Sequence, residues 1–318
     1  MPVPVPVPVP ADAFASVAAP AGAGRAVSAS ELVWLRNQFY SRAVGSLLPI
    51  RWFGPEAPRP EALSVPEGRL RLQIVSHCWR YAHLLRFQLS SLAEHPPRDV
   101  DVTYSLYHAE EDTGVRELIE RFGARRVPNV TWEWNVLPRE ELFRRAIGRH
   151  RAALGSAADW LWFSDCDLIF HAGCLDSLAA SLRGRRSGLV FPREEHVSAL
   201  LAADHPMLNR TPAADGTVGI DTSLFRPNPI ERAKGAFQIV HGDVARAAGY
   251  CGTIELYQRP SATWRKTYED TVFRRLIGYE GEPVDVAALY RIRHVEKGRY
   301  AESSLWSRAR RGIRRVQG

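Results

Sequence analysis

The sequence has no uninterrupted apolar run of the roughly 20 residues that a membrane-spanning helix needs. Its N-terminus lacks a basic stretch followed by an apolar one, so no secretory signal is expected. Cysteine is scarce: Cys78, Cys166, Cys174 and Cys251 are the only four, and no two stand at C-x-x-C spacing. That spacing offers zinc no site, and the count argues against a disulfide scaffold. A reducing, cytoplasmic location is the expectation. A broadly basic surface is also missing. The net charge is +7, but five arginines (Arg308, Arg310, Arg311, Arg314 and Arg315) crowd the last dozen residues without an acid among them. The remainder is close to neutral, so nucleic acid is not an expected partner.

What is present is ordinary for a globular enzyme: 45% hydrophobic and 24% charged residues over 318 positions. A core of that size needs no covalent support. Four segments follow from local composition. Residues 1–27 alternate Pro with Val and then turn Ala/Gly/Pro-rich. Such a stretch loses alternate backbone donors and reads as a disordered or polyproline-like extension. Residues 28–70 hold an amphipathic helix and a Pro-rich linker. Ser28 and Glu31 have capping-box spacing, and Leu32, Leu35, Phe39, Ala43 and Leu47 share one face. Residues 71–300 form the catalytic domain, and 301–318 a basic tail. Within the tail, Leu305, Trp306, Ala309, Ile313 and Val316 can line one helical face among the arginines, which suits peripheral contact with an anionic membrane at its inner face.

Inside 71–300, apolar strands alternate with amphipathic helices. Strands are expected at 72–76, 100–107, 130–136 and 160–164, and helices at 81–93, 115–122 and 139–154. This alternation predicts an α/β domain with a mainly parallel central sheet. Ligands of such sheets bind at the carboxyl ends of the strands.

At one such end the strongly apolar Trp160-Leu161-Trp162-Phe163 runs through Ser164 into Asp165-Cys166-Asp167. In extended chain, residues i and i+2 point to the same side. Two carboxylates there repel and are costly to desolvate, and a divalent cation would remove both penalties. Oxygen ligands favour Mg²⁺ or Mn²⁺. The alternative is an aspartate pair that caps the following turn or helix.

This Asp-x-Asp, placed after a long apolar strand in a β/α series, resembles the motif of the GT-A nucleotide-sugar glycosyltransferases, especially the family-two-like group. The resemblance spans about residues 72–298. It implies that Asp165 and Asp167 bind a metal, which in turn holds the diphosphate of a sugar nucleotide. It implies that Ser76 and His77, at the end of the first strand, and Glu110, in the acidic Glu110-Glu111-Asp112 turn, meet the nucleotide. Arg145 and Arg149 would face the diphosphate, although the usual Arg-Asn pair is absent. Glu269-Asp270, in Tyr268-Glu269-Asp270, matches the acceptor-side E-D motif, with Asp270 as general base and Glu269 orienting the acceptor. Val272 departs from the family there, replacing a commonly acidic residue. His294, ending the segment Tyr290-Arg291-Ile292-Arg293-His294, matches a late histidine on the metal. Trp264 and Tyr257 can offer flat faces to an acceptor sugar, or equally fill the core.

The activity so implied is metal-dependent transfer of a sugar from a nucleotide-diphosphate sugar to a hydroxyl of a glycan or glycolipid, with inversion. Two other readings stand beside it. One is a nucleotidyltransferase or phosphohydrolase using the two aspartates on phosphate; Leu168-Ile169 and the late position of the motif disfavour the dehalogenase-like kind. The other is a non-enzymatic basic adaptor acting through the tail, which leaves the acidic strand end and Glu269-Asp270 unexplained.

Overall fold

The computed structural model describes residues 56–264 and 267–295. The expected N-terminal extension, the amphipathic helix and the basic tail lie outside the described residues.

The chain enters the sheet with β1 (Leu70–Cys78), where Leu72, Ile74 and Val75 are buried. It continues through α1 (Ala82–Glu94), β2 (Val100–His108), α2 (Thr113–Gly123) and β3 (Val130–Val136). Each is a right-length apolar pattern closed by a local signal. Asp112 caps α2, its carboxylate accepting the amide of Val115, as short acidic side chains do at helix starts. The expected single helix over 139–154 is two pieces, α3 (Arg139–Leu142) and α4 (Arg145–Gly155). Arg144 leaves helical geometry between them, at φ −109° and ψ 78°. Its Nε donates to the carbonyl of Arg259, 3.2 Å away. The break makes Arg145 the first residue of α4.

Next come β4 (Trp160–Phe163), β5 (Leu168–Phe170), α5 (Cys174–Leu182), β6 (Leu189–Pro192), β7 (Glu194–Leu201) and β8 (Phe225–Pro229). The described chain closes with β9 (Gln238–His241), α6 (Gly242–Ala248), α7 (Glu255–Gln258), α8 (Glu269–Ile277), β10 (Glu282–Val284) and β11 (Leu289–His294).

A seven-stranded sheet has the order β10-β6-β9-β4-β1-β2-β3. It is parallel except at β9, which runs antiparallel to both β4 and β6. The expected α/β architecture with a mainly parallel central sheet is therefore what the chain adopts. A second, four-stranded sheet, β5-β11-β7-β8, stands beside it.

The main core contains Trp160, Trp162, Phe163, Tyr104, Tyr250 and Phe273, all essentially inaccessible to solvent. Large aromatics there need their polar ends met; Trp162 Nε1 donates to Ala236 O at 2.7 Å. A smaller cluster of Leu84, Phe87, Ile169, Leu201, Phe225 and Ile292 lies at the second sheet. Helix α1 serves both: Leu85, Leu89 and Leu92 enter the first cluster, Leu84 and Phe87 the second. Each such fully buried side chain stabilises the fold by roughly 1.5–3 kcal/mol.

The stretch 56–69, read from sequence as linker, is fastened to the domain. Leu63 is buried in the main core. Both the amide and the hydroxyl of Ser64 donate to Asp243 Oδ2, at 2.8 and 2.7 Å. Arg186 donates to Leu63 O, and the Tyr279 hydroxyl to Pro58 O. Pro60 opens a single 3-10 turn, Pro60–Ala62, within this stretch, a first-turn position that suits its fixed φ. Among the described residues no helix is long and apolar enough to cross a membrane.

Candidate active site

The apolar residues of β4 pull it into the centre of the sheet, between β1 and β9. Its carboxyl end therefore emerges beside the end of β1. Ser164 extends the pairing, its amide donating to Val75 O at 2.9 Å. Asp165 and Asp167 follow, both half-buried, with Cys166 buried between them. The extended geometry expected for the pair is not what holds them. Cys166 and Asp167 form a turn that carries the chain from β4, in one sheet, to β5, in the other. Leu168 N donates to Asp165 O at 3.2 Å within that turn, and Ile292 N of β11 donates to Asp167 O at 3.0 Å.

The turn is also held from beneath by a residue that the strand and helix patterns did not single out. Gln88 of α1 has no solvent exposure. Its Nε2 donates to Asp165 O and Leu168 O, both at 3.0 Å, while its Oε1 accepts the hydroxyls of Ser76 and Tyr104. The signal was present: an amide at 88, in line with Leu84 and Leu92, sits in an apolar stripe. A buried amide there needs several partners. Ser76 is correspondingly turned inward and fully buried, so it belongs to the floor of the site and not to a ligand-facing surface.

Two arginines of α4 meet the Asp165 carboxylate. Arg145 pairs directly with Asp165 Oδ1, and its Nε lies 3.7 Å from Glu269 Oε1. Burial acts to lower the Arg145 pKa, but Asp165, Glu269, Tyr250 and Asp270 together raise it well above the ordinary guanidinium value. Arg149 reaches to 3.9 Å from the same oxygen. It is 1% exposed and fixed from behind: Nη1 donates to the Tyr250 hydroxyl at 2.8 Å, and its guanidinium lies over the rings of Phe163 and Tyr250. A third guanidinium, Arg291, is gripped by the buried Glu195. Its pKa is lowered by burial but raised on balance by Glu195, with Asp167 and Asp165 adding to the effect. Asp165 thus meets two cations, and Arg291 adds a third positive charge that interacts electrostatically with both aspartates.

His77 ends β1 next to this cluster. Its ring stacks on Tyr107 with centroids 5.0 Å apart. Burial pushes its pKa well below the usual value; Arg149 and Arg145 push the same way against Asp165. The imidazole is therefore neutral at ordinary pH, and among the described residues neither ring nitrogen has a hydrogen-bond partner. Gly148 makes room for it, since a Cβ there would collide with the His77 and Tyr107 rings.

Glu269 and Asp270 open α8. Tyr268 before them adopts a left-handed φ of 56°, a conformation uncommon outside glycine and costly for a bulky residue. Glu269 is buried and accepts the Thr267 hydroxyl. Asp270 is half-buried; Oδ2 accepts the amide of Gly235 at 2.8 Å and Oδ1 that of Thr271 at 2.9 Å. Gln238 of β9 links the two halves: Nε2 donates to Asp270 O and Oε1 accepts the Tyr250 hydroxyl that Arg149 also meets. Arg145, Arg149, Asp165, Glu269 and Asp270 are thus brought into one connected group.

Other expected residues fall elsewhere. Glu110 is exposed in the turn after β2; its neighbour Asp112 is the buried one, and accepts the amide of Arg80 as well as capping α2. Tyr257 is fully buried and donates to Thr267 O at 3.0 Å, which places it in the core and supports the approach to α8. Trp264 is half-buried. His294 is 2% exposed, its ring edge-on to Tyr81 and near His83. Among the described residues no three His, Cys, Asp or Glu side chains form a metal-binding group. Two carboxylates alone still suit a hard divalent ion of the kind held jointly by one or two protein carboxylates and substrate phosphates. A cavity of about 560 Å³ lies at the amino ends of β1, β2 and β3, lined by Arg71, Gln73, Thr103, Thr131, Glu133 and Arg151 among others, and contains none of the expected site residues.

No family model matches the chain, and no curated protein matches it. Among solved structures it is similar to S. aureus TarS 1-349, with 11% identity, a TM-score of 0.43, and coverage of 70% of this chain and 60% of that one. The same TarS piece in complex with UDP-GlcNAc matches at 11% identity and TM-score 0.43 over 74% of this chain and 61% of that one. The mannosyltransferase PcManGT from Pyrobaculum calidifontis, in complex with GDP-Man and Mn²⁺, is 17% identical with a TM-score of 0.42, over 90% of this chain and 70% of that one. The chain spans about 60% of the length of the TarS 1-349 structures it matches.

Proposed function

We propose that the protein is a glycosyltransferase that moves a sugar from a nucleotide-diphosphate sugar to a hydroxyl of a glycan or glycolipid, with inversion at the anomeric carbon. The observation that carries this reading is the bridge made by Arg145. It joins the Asp165 carboxylate at the end of β4 to Glu269 at the start of α8. Two acidic motifs more than a hundred positions apart in sequence thereby share one site, in the order of the GT-A resemblance.

In this reading Asp165 and Asp167 hold Mg²⁺ or Mn²⁺, which when bound supplies Lewis-acid charge to the departing diphosphate. Arg145 and Arg149 add fixed positive charge where the leaving group gains negative charge, the largest single kind of catalytic stabilisation. Neutral His77, packed between Tyr107 and Gly148, fills the floor near the guanidiniums without adding charge. On the other side, Asp270 takes the proton of the attacking hydroxyl as general base. The amides of Gly235 and Thr271 fix its carboxylate, and each oxygen keeps a further lone pair for the acceptor. Glu269, held by Thr267, orients the acceptor. A base opposite the leaving group activates an in-line attack, which inverts the anomeric centre. The tail residues 301–318 would bring the enzyme to an anionic membrane face, where a glycolipid acceptor resides.

The test is product analysis with a panel of nucleotide sugars, Mn²⁺ and candidate acceptors. Release of the nucleoside diphosphate with a new glycosidic bond of inverted configuration is expected. Free phosphate or pyrophosphate as the released product would instead identify a phosphohydrolase or nucleotidyltransferase.

A further inference from the structure

The two arginines that meet Asp165 are held very differently. Arg149 is 1% exposed and tied to the Tyr250 hydroxyl. Arg145 is 23% exposed; among the described residues it pairs with two carboxylates, Asp165 directly and Glu269 at 3.7 Å. It follows a non-helical residue, Arg144, at the first position of α4. Arg149 is thus fixed scaffolding, whereas Arg145 can exchange one anionic partner for another.

While Arg145 holds Asp165, that carboxylate oxygen faces a guanidinium, and a divalent cation approaching it meets a like charge. A diphosphate is the chemistry that competes for Arg145, because a guanidinium binds phosphate oxygens in the same forked geometry as a carboxylate. We propose that Arg145 is a positioning latch: it withholds Asp165 from a divalent cation until a nucleoside diphosphate group takes the guanidinium, so that cation and diphosphate bind with positive coupling. The proposal rests on the sugar-nucleotide reading above. By linkage the coupling is reciprocal: the diphosphate strengthens cation binding by the same factor as the cation strengthens diphosphate binding. Glu269 gives the released state a second consequence. When Arg145 turns to a diphosphate, Glu269 loses its neighbouring cation and its carboxylate becomes available to an acceptor hydroxyl. The latch thereby links arrival of the donor to readiness of the acceptor side.

The experiment measures Mn²⁺ binding to the full chain by electron paramagnetic resonance, alone and with UDP, GDP, ADP, CDP or dTDP. Calorimetry of each nucleotide with and without Mn²⁺ accompanies it. For the wild type, one nucleoside diphosphate should raise Mn²⁺ affinity about 10- to 100-fold, within the usual range of coupling between sites. In Arg145→Gln, Mn²⁺ alone should bind more tightly than in the wild type, and the coupling factor should shrink towards one. Arg145→Lys retains the charge but not the fork and should fall between the two; it carries the comparison if Arg145→Gln does not fold. Unchanged Mn²⁺ affinity in the folded variants, or full coupling in Arg145→Gln, would overturn the latch. If none of the nucleotides binds to the wild type with or without Mn²⁺, the sugar-nucleotide reading falls. Mn²⁺ affinity in the variants then still decides whether Arg145 withholds Asp165.

Discussion

The two acidic motifs of the site are built from the same residue types and secured by opposite means. Asp165 and Asp167 sit on a turn between sheets; the Asp165 side chain meets the guanidiniums of Arg145 and Arg149, and both aspartates act electrostatically on Arg291. Asp270 sits at a helix start, and its side chain is secured by backbone amides of Gly235 and Thr271. A guanidinium partner can be drawn away by a competing anion, whereas a backbone amide cannot leave without moving the chain. The first pair is therefore suited to changing partners during a cycle, and the second to staying in one place while a proton moves.

The strongest way to break this contrast is Asp270→Asn. It preserves shape and can keep one of the two bonds from backbone amides, but it removes the base. Turnover should fall by about 10²- to 10⁴-fold, the usual contribution of a positioned base, while nucleotide-sugar affinity measured by calorimetry stays nearly constant. Near-normal turnover would reduce Asp270 to a helix cap. Asp167→Asn probes the other pair. Here Mn²⁺-dependent donor binding should weaken by at least about 10- to 100-fold, since loss of even an outer-shell partner costs that much. The melting temperature without metal should not fall. Metal-stimulated binding at wild-type strength would remove Asp167 from the assignment.

The remaining predictions concern the frame that holds the pairs. Gly148→Ala drives a methyl into the His77 and Tyr107 rings and should cost about 1–3 kcal/mol, as overpacking does. Urea denaturation would read it, and an unchanged midpoint would show that His77 yields easily. The smallest effect is expected at Asp243. Burial raises its pKa, but the Ser64 bonds, Arg246 and His241 outweigh that and bring it from 3.8 to about 2. A depressed carboxylate pKa contributes stability above the unfolded value and loses it as pH falls through the folded one. Acid should therefore loosen the 56–64 segment between about pH 4 and pH 2. Asp243→Asn should flatten that dependence and cost about 1–2 kcal/mol at neutral pH, at the lower end for bonds to a charged group. Hydrogen exchange at Ser64, whose amide bonds Asp243, would report both.

Much of the frame was legible before any coordinates. The strands β1 to β3 and the helices α1 and α2 follow from apolar periodicity, and β4, only four residues long, from its unbroken apolar run. The antiparallel β9 and the second sheet were not legible. β5, β8 and β9 are three to five residues long, and partners lie far away in sequence, as with Leu289 opposite Phe170. The same holds at the site. Asp165, Asp167, Glu269 and Asp270 stand out as acids at element ends, and the resemblance named Arg145 and Arg149 beside them, but Arg291 arrives from β11, far away in sequence. The break at Arg144, which sets the start of α4, answers a carbonyl at Arg259 that no local window contains. Ser76 was located correctly at a strand end, yet the direction of its side chain depended on Gln88.

That glutamine has a mechanical consequence. A turn joining two sheets would ordinarily be the compliant part of a molecule. Here its two ends, at Asp165 and Leu168, are referred to one amide on α1, and α1 is packed into both hydrophobic clusters. The turn inherits the stiffness of a helix clamped on two sides. The same turn is tied to β1 through Ser164 and to β11 through Asp167 O, so its position is fixed from three elements at once.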